Sequence, residues 1–169
     1  MLFWSWVFSR KFNFTETLIL LILMNMFVLV NNFLKRLSIL DFIGFFLIRL
    51  YLSYIFWSAG TYHLEDLSKF SKYLSEMKIL YPDIISYLII GVECGGAAFL
   101  FIGLFVRWIT VPMIILMIFA IGMIHLENGW SYENNGVEFA VTYILMLLIL
   151  FFCGGGRFLS LDYWVASKK

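Results

Sequence analysis

Two ionisable residues lie inside long apolar stretches of this sequence, where water is not available to solvate them. Arg49 falls in the stretch 42–60, and Glu93 falls in the stretch 84–105. A charged side chain inside a membrane segment is costly, so each is a candidate functional group. Counted along the helices, they lie about 13 and about 18 Å from the same membrane face. We predict a buried Arg49–Glu93 pair, which either only fixes the helix register or makes Glu93 a carboxylate that handles protons or anchors a ligand.

A second group of polar and aromatic residues lies near the opposite ends of these stretches. Imidazole and carboxylate groups at one depth can hold a ligand headgroup or relay protons. The simpler alternative is that such residues only anchor helices at the headgroup level. No HxxxH or ExxH spacing accompanies them, so a metal is not expected. The predicted ligand pocket consists of His63, Trp57, His125, Glu127, Glu138 and Tyr143.

The elements that must position these groups are apolar helices. Of the 169 residues, 63% are hydrophobic and only 14% are charged, which is more apolar surface than a soluble domain of this size can bury. Four stretches are long enough to cross a bilayer. The sequence therefore predicts an all-α integral membrane protein with a four-helix transmembrane bundle, formed by residues 42–60, 84–105, 108–124 and 137–153.

A further apolar stretch, residues 17–34, precedes the bundle. Asn25, Asn31 and Asn32 interrupt it. It either spans the membrane or lies in the interface as an additional N-terminal helix, and the sequence leaves both alternatives open. The polar loop between the first two bundle helices predicts a short surface helix, residues 64–77, from its apolar spacing. The predicted organisation is an N-terminal extension (1–38), the membrane domain (39–163) and a C-terminal tail (164–169).

The number and positions of the charged residues indicate which partners and which membrane orientation to expect. The net charge is +1 and no long basic run occurs, which argues against a nucleic-acid partner. Lipid is the expected solvent. By the positive-inside rule, the side with more Lys and Arg faces the cytoplasm. This predicts cytoplasmic core termini and a cytoplasmic turn at Arg107, on the side that collects Lys35, Arg36, Arg107, Arg157, Lys168 and Lys169.

An ordered set of short motifs resembles the DoxX family over residues 40–163. The motifs are Phe56-Trp57-Ser58-Ala59-Gly60-Thr61, Glu93-Cys94-Gly95-Gly96, Gly103-Leu104-Phe105-Val106-Arg107, His125-Leu126-Glu127-Asn128-Gly129-Trp130, Gly136-Val137-Glu138 and Gly154-Gly155-Gly156-Arg157. Two of them look most like a branch encoded beside copper-binding peptides of the bufferin type. The recurrent polar positions implied by the resemblance are Arg49, Glu93, Arg107, His125 and Glu138. One departure is Tyr62-His63, where many relatives carry a lysine.

The resemblance implies a four-helix bundle in a bacterial inner membrane, working with redox, thiol or metal-stress partners. A sister branch forms part of a thiosulfate:quinone oxidoreductase. We expect an accessory protein of a redox or copper-peptide system, with a quinone as the first ligand to test. The alternative is a non-catalytic scaffold or export helper that binds a small peptide or a soluble enzyme. Enzymatic turnover, the cofactor, the protein partner and a homo-oligomer all stay open at this point.

Overall fold

The computed structural model describes residues 14–37, 41–156 and 159–167. These residues fall into two compact units that divide after Asp41. The described part of the first unit is one helix, α1 (Phe14–Leu37). Its segment Leu18–Arg36 is long and apolar enough to cross a membrane, and none of that segment is buried.

The second unit is built from helices, and no strand occurs among the described residues. The four predicted bundle helices are all present, with ends that differ by a few residues. They are α2 (Asp41–Glu65), α4 (Pro82–Ile102), α5 (Val106–Ala120) and α6 (Glu138–Cys153). The predicted surface helix is α3 (Leu67–Glu76), and a short α7 (Leu161–Ala166) follows the bundle. The fold class predicted from the sequence is confirmed, and α7 crosses the predicted boundary at residue 163.

Three segments of the second unit are long and apolar enough to cross a membrane, namely Phe42–Glu65, Pro82–Ile102 and Val106–Asn128. Helix α6 is apolar but has only 16 residues. Helix α5 continues through a π-helical turn, Ile121–His125, and a 3₁₀ turn, Leu126–Asn128. The chain is therefore a multi-pass membrane protein.

The centre of the bundle is filled by apolar side chains from all four long helices. They form one buried cluster of Leu52, Phe56, Ala97, Leu100, Val106, Met113, Leu147 and Leu150. Gly96 lets α5 approach α4, since a Cβ at that residue would lie 2.8 Å from the Met113 sulfur. Ser53 donates to the Ala97 carbonyl at 2.7 Å, which joins α2 to α4 without leaving a polar group unpaired.

Helix α3 begins with a side-chain cap and packs on α4 through its apolar face. The Asp66 carboxylate accepts a hydrogen bond from the Lys69 N–H at 3.0 Å, and this bond lowers the pKa of Asp66 below its ordinary value. Ser71 donates to Asp83 at the start of α4. Ser71 and Leu74 are buried. The helix is thus fixed at its start and middle rather than lying free on the membrane surface.

The turn between α4 and α5 is tight, as the sequence predicts. Gly103 has a φ of 69° and Phe105 a φ of 50°, both in the left-handed region. Across this turn, the Asp162 carboxylate accepts from the Phe105 N–H at 2.8 Å and from the Val106 N–H at 3.0 Å. A carboxylate at this place satisfies two free amides at the positive end of α5. Helix α7 therefore caps α5.

Asp162→Ala should lower the free energy of unfolding by about 1–2 kcal/mol, because it removes the side-chain cap of α5. Asp162→Asn should lower it less, since one amide oxygen remains as an acceptor. Denaturant titration of the full chain in detergent measures the difference. Glu127→Ala is the matched control, because that exposed carboxylate caps no long helix. An Asp162→Ala protein as stable as the control would contradict the capping role.

Candidate functional site

A cavity of about 740 Å³ lies between α2, α3, α4, α5 and the start of α6. Most of its lining is aliphatic or aromatic, including Phe56, Phe70, Met117 and Phe139. Its polar lining includes Glu93, His63 and His125. Ligand sites in proteins typically combine such an apolar wall with a few placed polar groups, in a volume of about 300–1,000 Å³.

His63 and Glu93 form an imidazole–carboxylate pair at this cavity. Nδ1 of His63 lies 2.9 Å from Oε2 of Glu93. The Glu93 side chain is 6% exposed, whereas the His63 side chain is 26% exposed. The imidazole therefore connects a nearly buried carboxylate to a more accessible position, which suits a group that passes protons.

The close approach of α2 to α4 brings His63 and Glu93 within hydrogen-bond distance. Gly60 lies one turn before His63 on α2, and a Cβ at Gly60 would be 3.0 Å from the Glu93 Cβ and 2.5 Å from the Cys94 sulfur. A larger residue at Gly60 would push the helices apart. The ring of Phe70, on α3, stacks on His63 with the centroids 4.0 Å apart and the planes 9° from parallel. The imidazole is thus held between a ring and a carboxylate.

His125 is the second imidazole at the cavity, and a backbone carbonyl fixes the orientation of its ring. Its Nδ1 lies 2.9 Å from the backbone carbonyl oxygen of Asn135. A carbonyl oxygen only accepts, so Nδ1 must carry the proton. The edge of the ring meets Phe139, with the centroids 4.7 Å apart at 79°. His125 closes the π-helical turn, a feature that often occurs at functional sites.

The outward nitrogen of His125 is available to a ligand. Hydrogen bonds are found to Nδ1 of His125 and to Oε2 of Glu93, and the other polar atom of each side chain has no bonded partner. Among the described residues, no side-chain nitrogen or oxygen that is sealed from solvent lacks a partner. His125 Nε2 and Glu93 Oε1 are therefore reached from open space, and both side chains line the cavity.

The predicted pocket residues divide into two groups. His63, His125 and Tyr143 line the cavity. Trp57, Glu127 and Glu138 are not among the residues that line this cavity. Trp57 follows Phe56 on α2, so its side chain is rotated about 100° from that of Phe56, and it is 52% exposed. Glu127 lies in the exposed 3₁₀ turn, and Glu138 accepts from the Tyr132 N–H at 3.3 Å.

The predicted Arg49–Glu93 pair is also corrected. Both residues are buried, with 1% and 5% exposure. The guanidinium lies at the carbonyls of Leu100 and Phe101, seven residues beyond Glu93 on α4. Seven residues of helix are about 10 Å, too far for an ion pair. Glu93 pairs instead with His63.

Arg49 binds four backbone carbonyls at the end of the bundle away from the cavity. Its guanidinium donates to Leu100 O at 2.9 Å, Gly155 O at 2.8 Å, Phe101 O at 3.1 Å and Leu159 O at 2.9 Å. Two of these carbonyls belong to the last turn of α4, where few backbone donors are available, and Leu100 O also accepts from the Gly103 N–H at 3.2 Å. Arg107, at the predicted turn, is exposed and donates to Phe152 O at 3.2 Å. Both arginines therefore have structural partners.

Sequence reasoning missed the aromatic and methionine part of the lining. Phe70 was placed on the membrane surface with the rest of the short helix, whereas Phe70, Tyr73 and Met77 line the cavity. The signal was present, because these residues share the apolar face of α3. In the part of the chain that the structure describes, no three His, Cys, Asp or Glu side chains are grouped to hold a metal ion.

The comparisons with known proteins agree with this architecture. Residues 44–126 match the family model described as DoxX. This segment is similar to DoxX domains. It begins in α2, includes α3 and α4, and ends just after His125, so the domain contains His63, Glu93 and His125 but neither α6 nor α7. No curated protein and no solved structure matches the chain. The family resemblance is confirmed, and the bufferin-type branch stays a prediction.

Proposed function

We propose that this DoxX membrane protein binds a quinone-class ligand in the cavity and exchanges protons with it through the His63–Glu93 pair. The observation that carries the proposal is a nearly buried carboxylate–imidazole pair facing a large apolar cavity between membrane helices. An apolar ring and tail fit the aliphatic and aromatic wall. The polar oxygens of the headgroup need hydrogen-bond partners, which the two histidines and Glu93 supply.

The proposal places the protein in a bacterial inner membrane as an accessory of a redox system. The loop with no Lys or Arg between His125 and Glu138 lies at the cavity end of the bundle, and Arg107 lies at the other end. Under the positive-inside rule, this supports core termini in the cytoplasm and a cavity that faces away from it. His63 is then the group that exchanges protons with the outer aqueous phase.

Filling the cavity should abolish binding. Ala59 lines the cavity and is only partly buried, so Ala59→Trp adds an indole to the ligand's space with little strain on the core. We expect decylubiquinone affinity to fall at least about tenfold, since the ligand loses its contact with the wall. The measurement is a ligand titration on the full chain in lipid nanodiscs, followed by intrinsic tryptophan fluorescence.

Ala98→Trp is the matched control, because Ala98 is exposed on the opposite side of α4 and does not line the cavity. It should bind as the wild type does. Equal affinity in the wild type, Ala59→Trp and Ala98→Trp would show that the ligand binds elsewhere. If the folded wild type binds neither decylubiquinone nor its reduced form, the proposal is overturned.

A scaffold function is the second candidate, and one observation favours it. Leu126, Trp130 and Tyr132 lie in the loop beside His125, and each is at least 64% exposed. Exposed aromatic side chains at one end of a bundle suit docking of a protein partner. Under this alternative the partner is a copper-handling peptide or a soluble enzyme, and the protein is an export helper or scaffold in a copper-peptide system. Trp130→Ala should then abolish partner capture while leaving decylubiquinone binding unchanged.

A further inference from the structure

His125 presents a hydrogen-bond acceptor to the cavity. Because Nδ1 must carry the ring proton to bond the Asn135 carbonyl at 2.9 Å, the neutral ring has its lone pair on Nε2. Moving the proton to Nε2 would set two lone pairs against each other at that distance. The loop thus fixes which tautomer faces the ligand.

Among the described residues, no carboxylate bonds the His125 ring. The bonded neighbours of His125 are the Asn135 carbonyl and the edge of Phe139. The ion pair found among the described residues is His63–Glu93. His125 is 8% exposed and has no such partner, so among the described residues its ring makes one hydrogen bond, the one to the Asn135 carbonyl.

The His63–Glu93 pair and His125 therefore offer different hydrogen-bonding groups to a ligand. The His63–Glu93 pair contains both a donor and an acceptor. His125 offers Nε2 as an acceptor alone. A quinone carbonyl is also an acceptor and would leave Nε2 unpaired, whereas a quinol hydroxyl would donate to it.

We propose that the cavity selects the reduced form of its ligand, a quinol, whose hydroxyl donates to His125 Nε2 while the other oxygen faces the His63–Glu93 pair. This inference rests on the proposed function and concerns recognition alone. Discrimination by a hydrogen bond to a hydroxyl is strong, because the analogue without it leaves a polar group unpaired in the site. We expect the quinol to bind at least about tenfold tighter than the quinone.

The test compares decylubiquinol and decylubiquinone, titrated under argon onto the full chain in nanodiscs. The wild type should show the tenfold preference. His125→Ala should weaken quinol binding, leave quinone binding unchanged and bring the ratio of the two dissociation constants close to one. Glu127→Gln, an exposed neighbour outside the cavity, should keep the wild-type ratio.

The outcomes separate this inference from the function it rests on. If the wild type binds both forms equally or prefers the quinone, the selectivity is overturned but the binding function stands. A preference that survives His125→Ala assigns it to another residue and also overturns the inference. Binding of neither form by folded wild-type protein overturns the proposed function itself. A wild type without the preference overturns the inference even where His125→Ala does not fold.

Discussion

Arg49→Met should reduce the free energy of unfolding by at least about 4 kcal/mol, the largest loss of stability that we expect from a single substitution in this chain. The guanidinium bonds four backbone carbonyls from α4 and from the segment before α7. Methionine fills similar space but donates nothing, so the four carbonyls lose the guanidinium, and the bonds to Leu100 and Gly155 are lost at buried positions. Denaturant titration of the full chain in detergent measures the loss.

Arg49→Lys should give an intermediate loss, because one ammonium group cannot span four acceptors. Arg107→Met is the control, since that exposed side chain makes one bond to a carbonyl and should cost less than about 1 kcal/mol. An Arg49→Met protein that folds with wild-type stability would show that the carbonyls find other partners. Gly103 depends on the same contact, because a Cβ there would lie 2.7 Å from the guanidinium.

Glu93→Gln should lower quinol affinity by about ten- to a hundredfold while the folded yield stays at the wild-type level. Glutamine has the size of glutamate and can still accept a hydrogen bond from His63, so the packing of α2 on α4 survives. It carries no charge and takes up no proton from the ligand, so the charge-assisted part of the binding is lost. Ligand titration in nanodiscs and size-exclusion chromatography measure the two quantities.

Glu76→Gln, an exposed carboxylate on α3 outside the cavity, should change neither the affinity nor the yield. The scaffold alternative makes the opposite forecast for Glu93→Gln. If Glu93 only holds helices together, the substitution lowers the folded yield while the protein that does fold binds as the wild type does. That result would remove Glu93 from the ligand site and leave it a structural residue.

The sequence predicted the helices well because their signal is local. Each bundle helix is a run of apolar residues long enough for a bilayer, and hydropathy alone places it within a few residues. The short helix α3 was also predicted, from the spacing of its apolar residues. Its position over the cavity was not, since spacing shows that a face is apolar but not which neighbour covers it.

The site was predicted only in part, because its contacts depend on backbone carbonyl partners and on the level at which neighbouring helices pass each other. His63 and Glu93 were both named as functional residues, yet their pairing depends on the level at which α2 passes α4. Counting residues from assumed helix ends placed Arg49 opposite Glu93. The actual end of α4 at Ile102 and the four carbonyl partners of Arg49 have no side-chain signature in the sequence. The bond from His125 to the Asn135 carbonyl is invisible for the same reason.

The π-helical turn at Ile121–His125 makes the site sensitive to chain length. Such a turn holds one residue more than a regular α-helical turn, so the residues after it are rotated about the helix axis. Deleting one residue here would restore the regular hydrogen-bond pattern and strengthen the helix. The same deletion would rotate His125 by about 100° about the helix axis. Its imidazole would then leave the cavity. A regular helix at this turn would therefore be more stable but would not direct His125 into the cavity. The irregular turn is what keeps His125 Nε2 at the ligand site.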